Sequence, residues 1–299
     1  MKRAVLSFVF ALLAAAGANA SEPEEPNVVP LDWGLATTLL GMGVDVPAIA
    51  EKPAFLDWVQ DPAPPPSAPD LGLRLAPDME RLQAAEPDLI LVSPQFASIR
   101  KRLESVAPVH SFATFTPDKT PLANARRITR ELGDLLRKPE AAEKLIADTE
   151  RAIATLRAKS AEQPNRCAFL VVNFVDAGHA RVFGEGSLYG GVLEGAGLSN
   201  AWTGATNFWG FTTVPLAALL HQADAELIVV APVPVEVNRM LDAEQGGASE
   251  SLLGKIPSVR DGRFRVLRPI WSFGGLTEAT TFAKTLSATA LPSCSNDNS

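Results

Sequence analysis

From Val28 onward the chain alternates short, wholly apolar runs with longer stretches whose apolar positions recur every three or four residues. That alternation is the pattern of parallel α/β layers. In the first half, LILVS (89–93) and VHSFATF (109–115) read as strands, and 78–86, 98–106 and 121–136 as helices. In the second half, CAFLVVNF (167–174), LIVVA (227–231) and FRVLR (264–268) read as strands, and 187–198, 216–222 and 276–291 as helices. Two segments, RLQAAEPDLILV (81–92) and LLHQADAELIVV (219–230), align without a gap at an offset of 138 residues. Both have the form helix, acidic turn, buried strand. Coincidence is the competing reading, because a helix feeding an apolar parallel strand recurs throughout α/β proteins. An offset near half the chain favours two similar lobes.

Between the halves lies PEAAEKLIADTERAIATLRAKSAEQPN (139–165), opened by Pro139 and closed by Pro164. Leu145, Thr149, Ile153 and Leu156 recur at helical spacing, and neither Gly nor Pro interrupts them. About 24 residues at 1.5 Å rise predict a stiff rod of roughly 36 Å. The expected fold is therefore α/β: an N-terminal lobe over 21–138, a linking helix over 139–165 and a C-terminal lobe over 166–299. Each lobe is expected to hold a mainly parallel sheet flanked by helices.

The first 20 residues belong to neither lobe. Lys2 and Arg3, an apolar run over 4–16 and the small residues Ala18-Asn19-Ala20 have the three parts of a cleavable secretory signal. The run is too short for a membrane span, which needs about 20 apolar residues. Residue 21 is Ser21, so the cysteine of a lipoprotein signal is absent at the cut. The expectation is a soluble periplasmic protein. Without the signal, 25 basic side chains face 34 acidic ones, a net of −9 that argues against a nucleic-acid partner. Cys167 and Cys294 are the only cysteines. In an oxidising compartment they are a candidate disulfide, and two unpaired thiols are the alternative that spacing leaves open.

His110, His179 and His221 stand alone without ligand spacing, and no GxSxG elbow occurs. GEGSLYGG (184–191) reads GxGxxxG and is explained equally by a turn with Ser187 as N-cap. Chemistry of another kind is present. Five tryptophans accompany a single tyrosine, and Trp33, Trp58, Trp202, Trp209 and Trp271 mostly fall in loops after strands, where open α/β sheets bind ligands. Burial in the core is the alternative for any one of them. Arg74, in the apolar segment DLGLRLAP, either pairs with a carboxylate such as Asp70 or faces a ligand oxygen. Aromatic walls with one guanidinium suit a nearly neutral ligand bearing exposed oxygens.

These residues resemble the periplasmic ferric-hydroxamate siderophore-binding proteins of the FhuD type, in the helix-linked class of ABC-importer binding proteins. The resemblance spans about 28–292 and rests on FLDWVQDP, DLGLRLAPDMERL, PLANARRITRELGDLL, VFGEGSLYGGVL, NAWTGATNFWGFTTV and GRFRVLRPIWSFGG. It implies two lobes, a rigid linking helix, and a shallow aromatic cleft between the lobes that holds a ferric siderophore such as ferrichrome. It also implies a monomer without cofactor or enzymatic activity, handing its ligand to an inner-membrane ABC permease. It puts Arg74 on hydroxamate oxygens, aromatic contacts at Trp33, Trp58, Trp202, Trp209 and Trp271, and Ser272 in the ligand-binding set. No protein metal ligand is implied, because the siderophore itself holds the iron. Three hydroxamate anions neutralise Fe(III), so one arginine is sufficient. Two departures stand out. Phe96 and Phe273 occupy positions where the family has ligand-bonding tyrosines, so Phe96→Tyr is expected to tighten binding. The acids that related proteins present to a permease are replaced in the N-terminal lobe by Arg100, Lys101 and Arg102; either Glu104 or Glu194 substitutes, or the partner differs. Another iron chelate, haem, cobalamin, or a siderophore-processing role remain the alternatives.

Overall fold

The three-stranded unit that begins at Val28 recurs in the second half, and the linking helix separates the two copies. The computed structural model describes residues 25–162, 167–222, 224–245 and 251–289. The predicted signal over 1–20 and Cys294 lie outside these residues. Cys167 is buried and carries no free thiol.

In the first half, β1 (Val28–Pro30) is followed by α1 (Trp33–Gly41), α2 (Lys52–Trp58) and a small ribbon of β2 (Gly72–Leu73) and β3 (Ala76–Pro77). Then come α3 (Met79–Ala84), β4 (Leu89–Val92), a 3₁₀ turn (Pro94–Ile99), α4 (Arg100–Leu103), β5 (Val109–Ser111) and α5 (Pro121–Leu135). The sheet order β1-β4-β5 is parallel throughout. All four residues of β4 are buried, as a strand covered on both faces requires.

The second half follows α6 (Pro139–Ala161). It contains β6 (Ala168–Phe174), β7 (His179–Phe183), α7 (Leu188–Gly195), β8 (Phe211–Pro215), a 3₁₀ turn (Leu216–His221) and β9 (Ala225–Val230). It ends with α8 (Val235–Gln245), α9 (Pro257–Arg260), β10 (Phe264–Leu267) and α10 (Leu276–Ala288). The sheet order is β10-β9-β6-β7-β8; the first three strands are parallel and the last two antiparallel. β4 and β9 each lie between two parallel neighbours. These are the strands of the 138-residue duplication, so the repeated pattern marks topologically equivalent positions. Of the antiparallel strands, HARVF shows only its end RVF as β-like in sequence, and FTTVP alternates too weakly to stand out.

Three expected elements differ. The strand expected over 109–115 stops at Ser111, beyond which only Phe112 still bonds back, its N–H donating to the Val92 carbonyl. Of the helix expected over 98–106 only the one-turn α4 is α-helical, entered from a 3₁₀ turn that begins at Pro94 and ends at Ile99. The segment 216–222 is also 3₁₀.

α6 buries Leu145, Ile146, Thr149, Ala152, Ile153 and Leu156 against α5 and α10. Thr149 Oγ1 meets Thr280 Oγ1 at 2.8 Å within that packing. One apolar cluster runs from Val28, Trp33 and Leu39 through α6 to Phe169, Val171 and Phe282. Separating the lobes would expose that surface at about 25 cal/mol per Å², so the helix joins them as a rigid strut. Among the described residues no helix is long and apolar enough to cross a membrane.

Candidate functional site

A cleft of about 550 Å³ opens where the two lobes face each other. Asp32, Arg74, Ser93, Pro94, Gln95, Ala113, Thr114 and Phe115 line it from the first half, and Arg181, Phe208, Trp209, Phe211, Trp271 and Phe273 from the second. Its volume is within the usual range for small-molecule sites.

Arg74 is held from three directions. Its Nε donates to Glu51 Oε2 at 2.8 Å, and its guanidinium carbon lies 4.0 Å from the Trp33 ring centroid and 5.6 Å from that of Trp271. No other acceptor among the described residues takes the terminal N–H groups, and Arg74 is part of the cleft lining. Asp70 is not the partner: its Oδ1 accepts from the Lys52 and Gly72 backbone amides. Glu51 precedes α2 with φ of +53°, a left-handed conformation that a non-glycine residue adopts only when its surroundings impose it. Trp33 below is 2% exposed, with Nε1 donating to the Ala50 carbonyl at 2.9 Å. The guanidinium therefore rests on a fixed indole beside a fixed carboxylate.

Asp32 forms the adjoining wall. Its Oδ1 caps α1 by accepting from Gly34 and Leu35 N–H, and its Oδ2 accepts from Ser93 Oγ at 2.7 Å. The cap fixes α1 against the loop after β4, whose residues 93–95 face the cleft.

The aromatic lining is one connected set of rings. Trp33 and Trp271 lie 4.8 Å apart between centroids, Trp271 and Phe273 5.2 Å, Phe273 and Phe211 5.7 Å, and Phe211 and Trp209 6.4 Å. Phe115 joins from the first lobe at 6.0 Å from Phe273. Local chemistry sets the exposed end. Asn207 Oδ1 accepts from the Trp209 and Phe211 amides, and the Gly210 amide donates to the Asn207 carbonyl. Gly210 has φ of +75°, and a Cβ there would lie 2.0 Å from the Ser187 nitrogen. The turn therefore presses on the start of α7 and projects Phe208 and Trp209, 46% and 42% exposed, toward the cleft. At the other end, the Tyr189 hydroxyl donates to the Ile270 carbonyl at 2.6 Å, anchoring the segment before Trp271. Burial pushes the Tyr189 phenol pKa upward, which keeps it a donor.

The structure brings Arg74, Trp209, Trp271 and Phe273 together at the cleft surface, and Trp33 directly beneath. Trp58 meets Trp271 edge-on at 5.9 Å and faces a neighbouring cavity. Three residues lie elsewhere. Phe96 is wholly buried in the first-lobe core with Leu71, Leu82 and Leu103, because the 3₁₀ turn that follows Pro94 directs it inward. Trp202 packs over Gly184 and Gly204 on the second lobe, away from the lining. Ser272 is 7% exposed and turned to Tyr189, with oxygens 3.3 Å apart. GEGSLYGG is a turn with an N-cap: Ser187 Oγ accepts from Gly190 N–H at 2.9 Å. Arg100 pairs with Glu104 at 2.7 Å on the surface.

Glu51, Asp32, Phe115, Arg181, Phe208 and Phe211 were not singled out in the sequence. Phe208 and Phe211 flank Trp209 in NFWGF, and Asp32 precedes α1 as an N-cap signal, so these three were open to detection. Glu51 carried no signal, since its role arises from a fold-back of 23 residues. Among the described residues no cluster of three or more His, Cys, Asp or Glu could hold a metal ion.

Two lobes with parallel-rich sheets on a rigid helix, with the ligand cleft between them, define a substrate-binding protein. Residues 28–270 match the periplasmic binding protein family, and the chain belongs to it. It is 30% identical over 269 residues to the iron(3+)-hydroxamate-binding protein FhuD of Escherichia coli, covering 90% of this chain and 88% of that one. It is 29% identical over 181 residues to the ferric-anguibactin-binding protein FatB of Vibrio anguillarum, 59% of this chain and 54% of that one. The crystal structure of the Fe3+–Desferal-bound siderophore-binding protein FhuD from Vibrio cholerae superposes with a TM-score of 0.81 at 26% identity, over 90% of this chain and all of that one. The relatives it matches are binding proteins, not enzymes.

Proposed function

We propose that this chain is a periplasmic carrier that captures a ferric hydroxamate siderophore and delivers it to an inner-membrane ABC importer. The observation that carries this reading is the Glu51–Arg74 pair set on Trp33 and Trp271 at the floor of an aromatic cleft. Arg74 offers N–H donors to ligand oxygens while Glu51 cancels its charge. Asp32 and Arg181 add one charge of each sign to the lining without pairing, leaving the site near neutrality. A tris-hydroxamate Fe(III) core is itself neutral. A tris-catecholate complex carries three negative charges and would lack the cluster of bases its desolvation requires. The two relatives named for iron–hydroxamate and Desferal complexes support the same ligand class.

The test is a tryptophan-fluorescence titration with ferrichrome, ferrioxamine, coprogen, ferric enterobactin, haem and cobalamin. Ferric hydroxamates are expected to quench strongly at micromolar concentration, and the others not. Saturable quenching by haem, cobalamin or enterobactin alone would replace the ligand class. Silence from all six would overturn the reading.

A further inference from the structure

A second cavity, of about 310 Å³, adjoins the cleft and shares one residue with it, Arg181. Trp58 forms its first-lobe wall, and Asn173, Val175 and Pro232 to Pro234 form its second-lobe wall. Trp58 and Trp271 in edge contact separate it from the main cleft, so Arg181 stands at the junction. Arg181 lies on β7 opposite Asn173 of β6 and Thr213 of β8, with its guanidinium carbon 5.6 Å from the Phe211 ring centroid. Its situation contrasts with that of Arg74. No carboxylate among the described residues lies within 4.0 Å of it, and no protein acceptor takes its N–H groups. Asn173, by comparison, is satisfied: its amide donates to the Val230 and Pro232 carbonyls.

A partly buried guanidinium with five donors and no protein partner is suited to a ligand oxygen that the protein does not supply. The chelate core is accounted for by Arg74 and the ring array, and the side cavity is too small for a second core. We infer that the side cavity receives the peripheral arm of the bound siderophore, and that Arg181 selects arms ending in a carboxylate over neutral or ammonium ends. This inference rests on the proposed ferric-hydroxamate function.

The test uses ferric complexes of one linear trihydroxamate, identical around iron, whose free end is an ammonium, an N-acetyl or an N-succinyl group. Each is titrated by fluorescence into the wild-type chain, Arg181→Gln and Arg181→Lys. The wild type is expected to bind the succinyl form about fivefold tighter than the acetyl form, with the ammonium form weakest. Arg181→Gln is expected to abolish that ratio, and Arg181→Lys, which keeps the charge and guards against a folding defect, to retain part of it. Rising salt should shrink the ratio in the wild type. Equal affinity for all three ends, or an unchanged ratio in Arg181→Gln, overturns the arm site. So does uniform weakening of all three, which would place Arg181 on the chelate core. Failure of every trihydroxamate to bind would instead sink the proposed function itself.

Discussion

Glu51 reaches 23 residues along the chain to hold Arg74, its carboxylate 2.8 Å from the arginine Nε and its own backbone in the left-handed region. Non-glycine residues in such conformations carry strain of about 1–3 kcal/mol, maintained here by the fold around the pair. The strain and the proposed ligand donor belong to one arrangement, and mutation can separate them. Glu51→Gly should leave the fold as stable or slightly more stable, while loosening the guanidinium and weakening ferric-hydroxamate binding. Thermal melts and titrations on the same samples check both halves, and unchanged affinity would remove Glu51 from the site.

Arg74→Ala should weaken ferric-hydroxamate binding about 10- to 100-fold, the worth of hydrogen bonds to a strongly polar oxygen. Arg74→Lys should recover little, because a lysine offers no planar fork to share between Glu51 and a ligand. Circular dichroism should show both variants folded, since Arg74 is partly exposed.

Trp209 is 42% exposed in the cleft, whereas Trp202 packs on the second lobe. Trp209→Phe should remove much of the ligand-induced fluorescence change, and Trp202→Phe should leave it nearly intact. Equal loss in both variants would contradict the placement of Trp202 away from the lining.

Phe96→Tyr is expected to destabilise the protein and not to improve binding, the reverse of what the resemblance alone suggested. A hydroxyl at a wholly buried position among Leu71, Leu82 and Leu103 would find no partner, at a cost of about 1–3 kcal/mol. A chemical-denaturation midpoint is the direct measure. Tighter binding with unchanged stability would show that the ring turns out to the cleft.

Glu278 lies 3% exposed at the start of α10, with one oxygen accepting from the Gly275 amide and Asp32 nearby. Burial is the main cause of a pKa pushed up to about 7. The folded state thus holds a proton there that the unfolded chain gives up near the ordinary glutamate value. Stability from this group is present at low pH and is lost as pH rises from about 4.5 to 7. Glu226, buried beside Arg265, is raised to about 7 for the same leading reason and adds in the same direction. Melting temperature should therefore fall between pH 5 and pH 8, and Glu278→Gln should flatten part of that slope, on the order of 2 kcal/mol. An unaltered slope in Glu278→Gln would mean that the carboxyl is already ionised at pH 5.

Much of the fold was legible in one dimension. β4, β6 and β9 are apolar runs because a central strand covered on both faces tolerates few polar side chains, and α6 shows its buried stripe at 3.6-residue spacing. The 138-residue repeat likewise placed β4 and β9 in equivalent positions, since both copies need the same helix, turn and buried strand. β8 and the 3₁₀ turns escaped and β7 showed only its β-like end RVF, because half-buried alternation and short turns leave weak local patterns.

The site divides the same way. Tryptophans near Gly, Asn and Pro indicated an aromatic cleft, and the turn chemistry of NFWGF is local enough to set Trp209 outward by itself. Whether Phe96 faces ligand or core, and whether Arg74 pairs with Asp70 or Glu51, depends on side-chain direction and on loops that meet only in three dimensions. The sequence by itself determined two lobes, a rigid link and the residue types of the cleft. Only tertiary structure decided which aromatics reach its surface, and left Arg181 without a protein carboxylate at the junction of two cavities. Burial and pairing are properties of neighbours in space, and those neighbours are tens to more than a hundred residues apart along the chain.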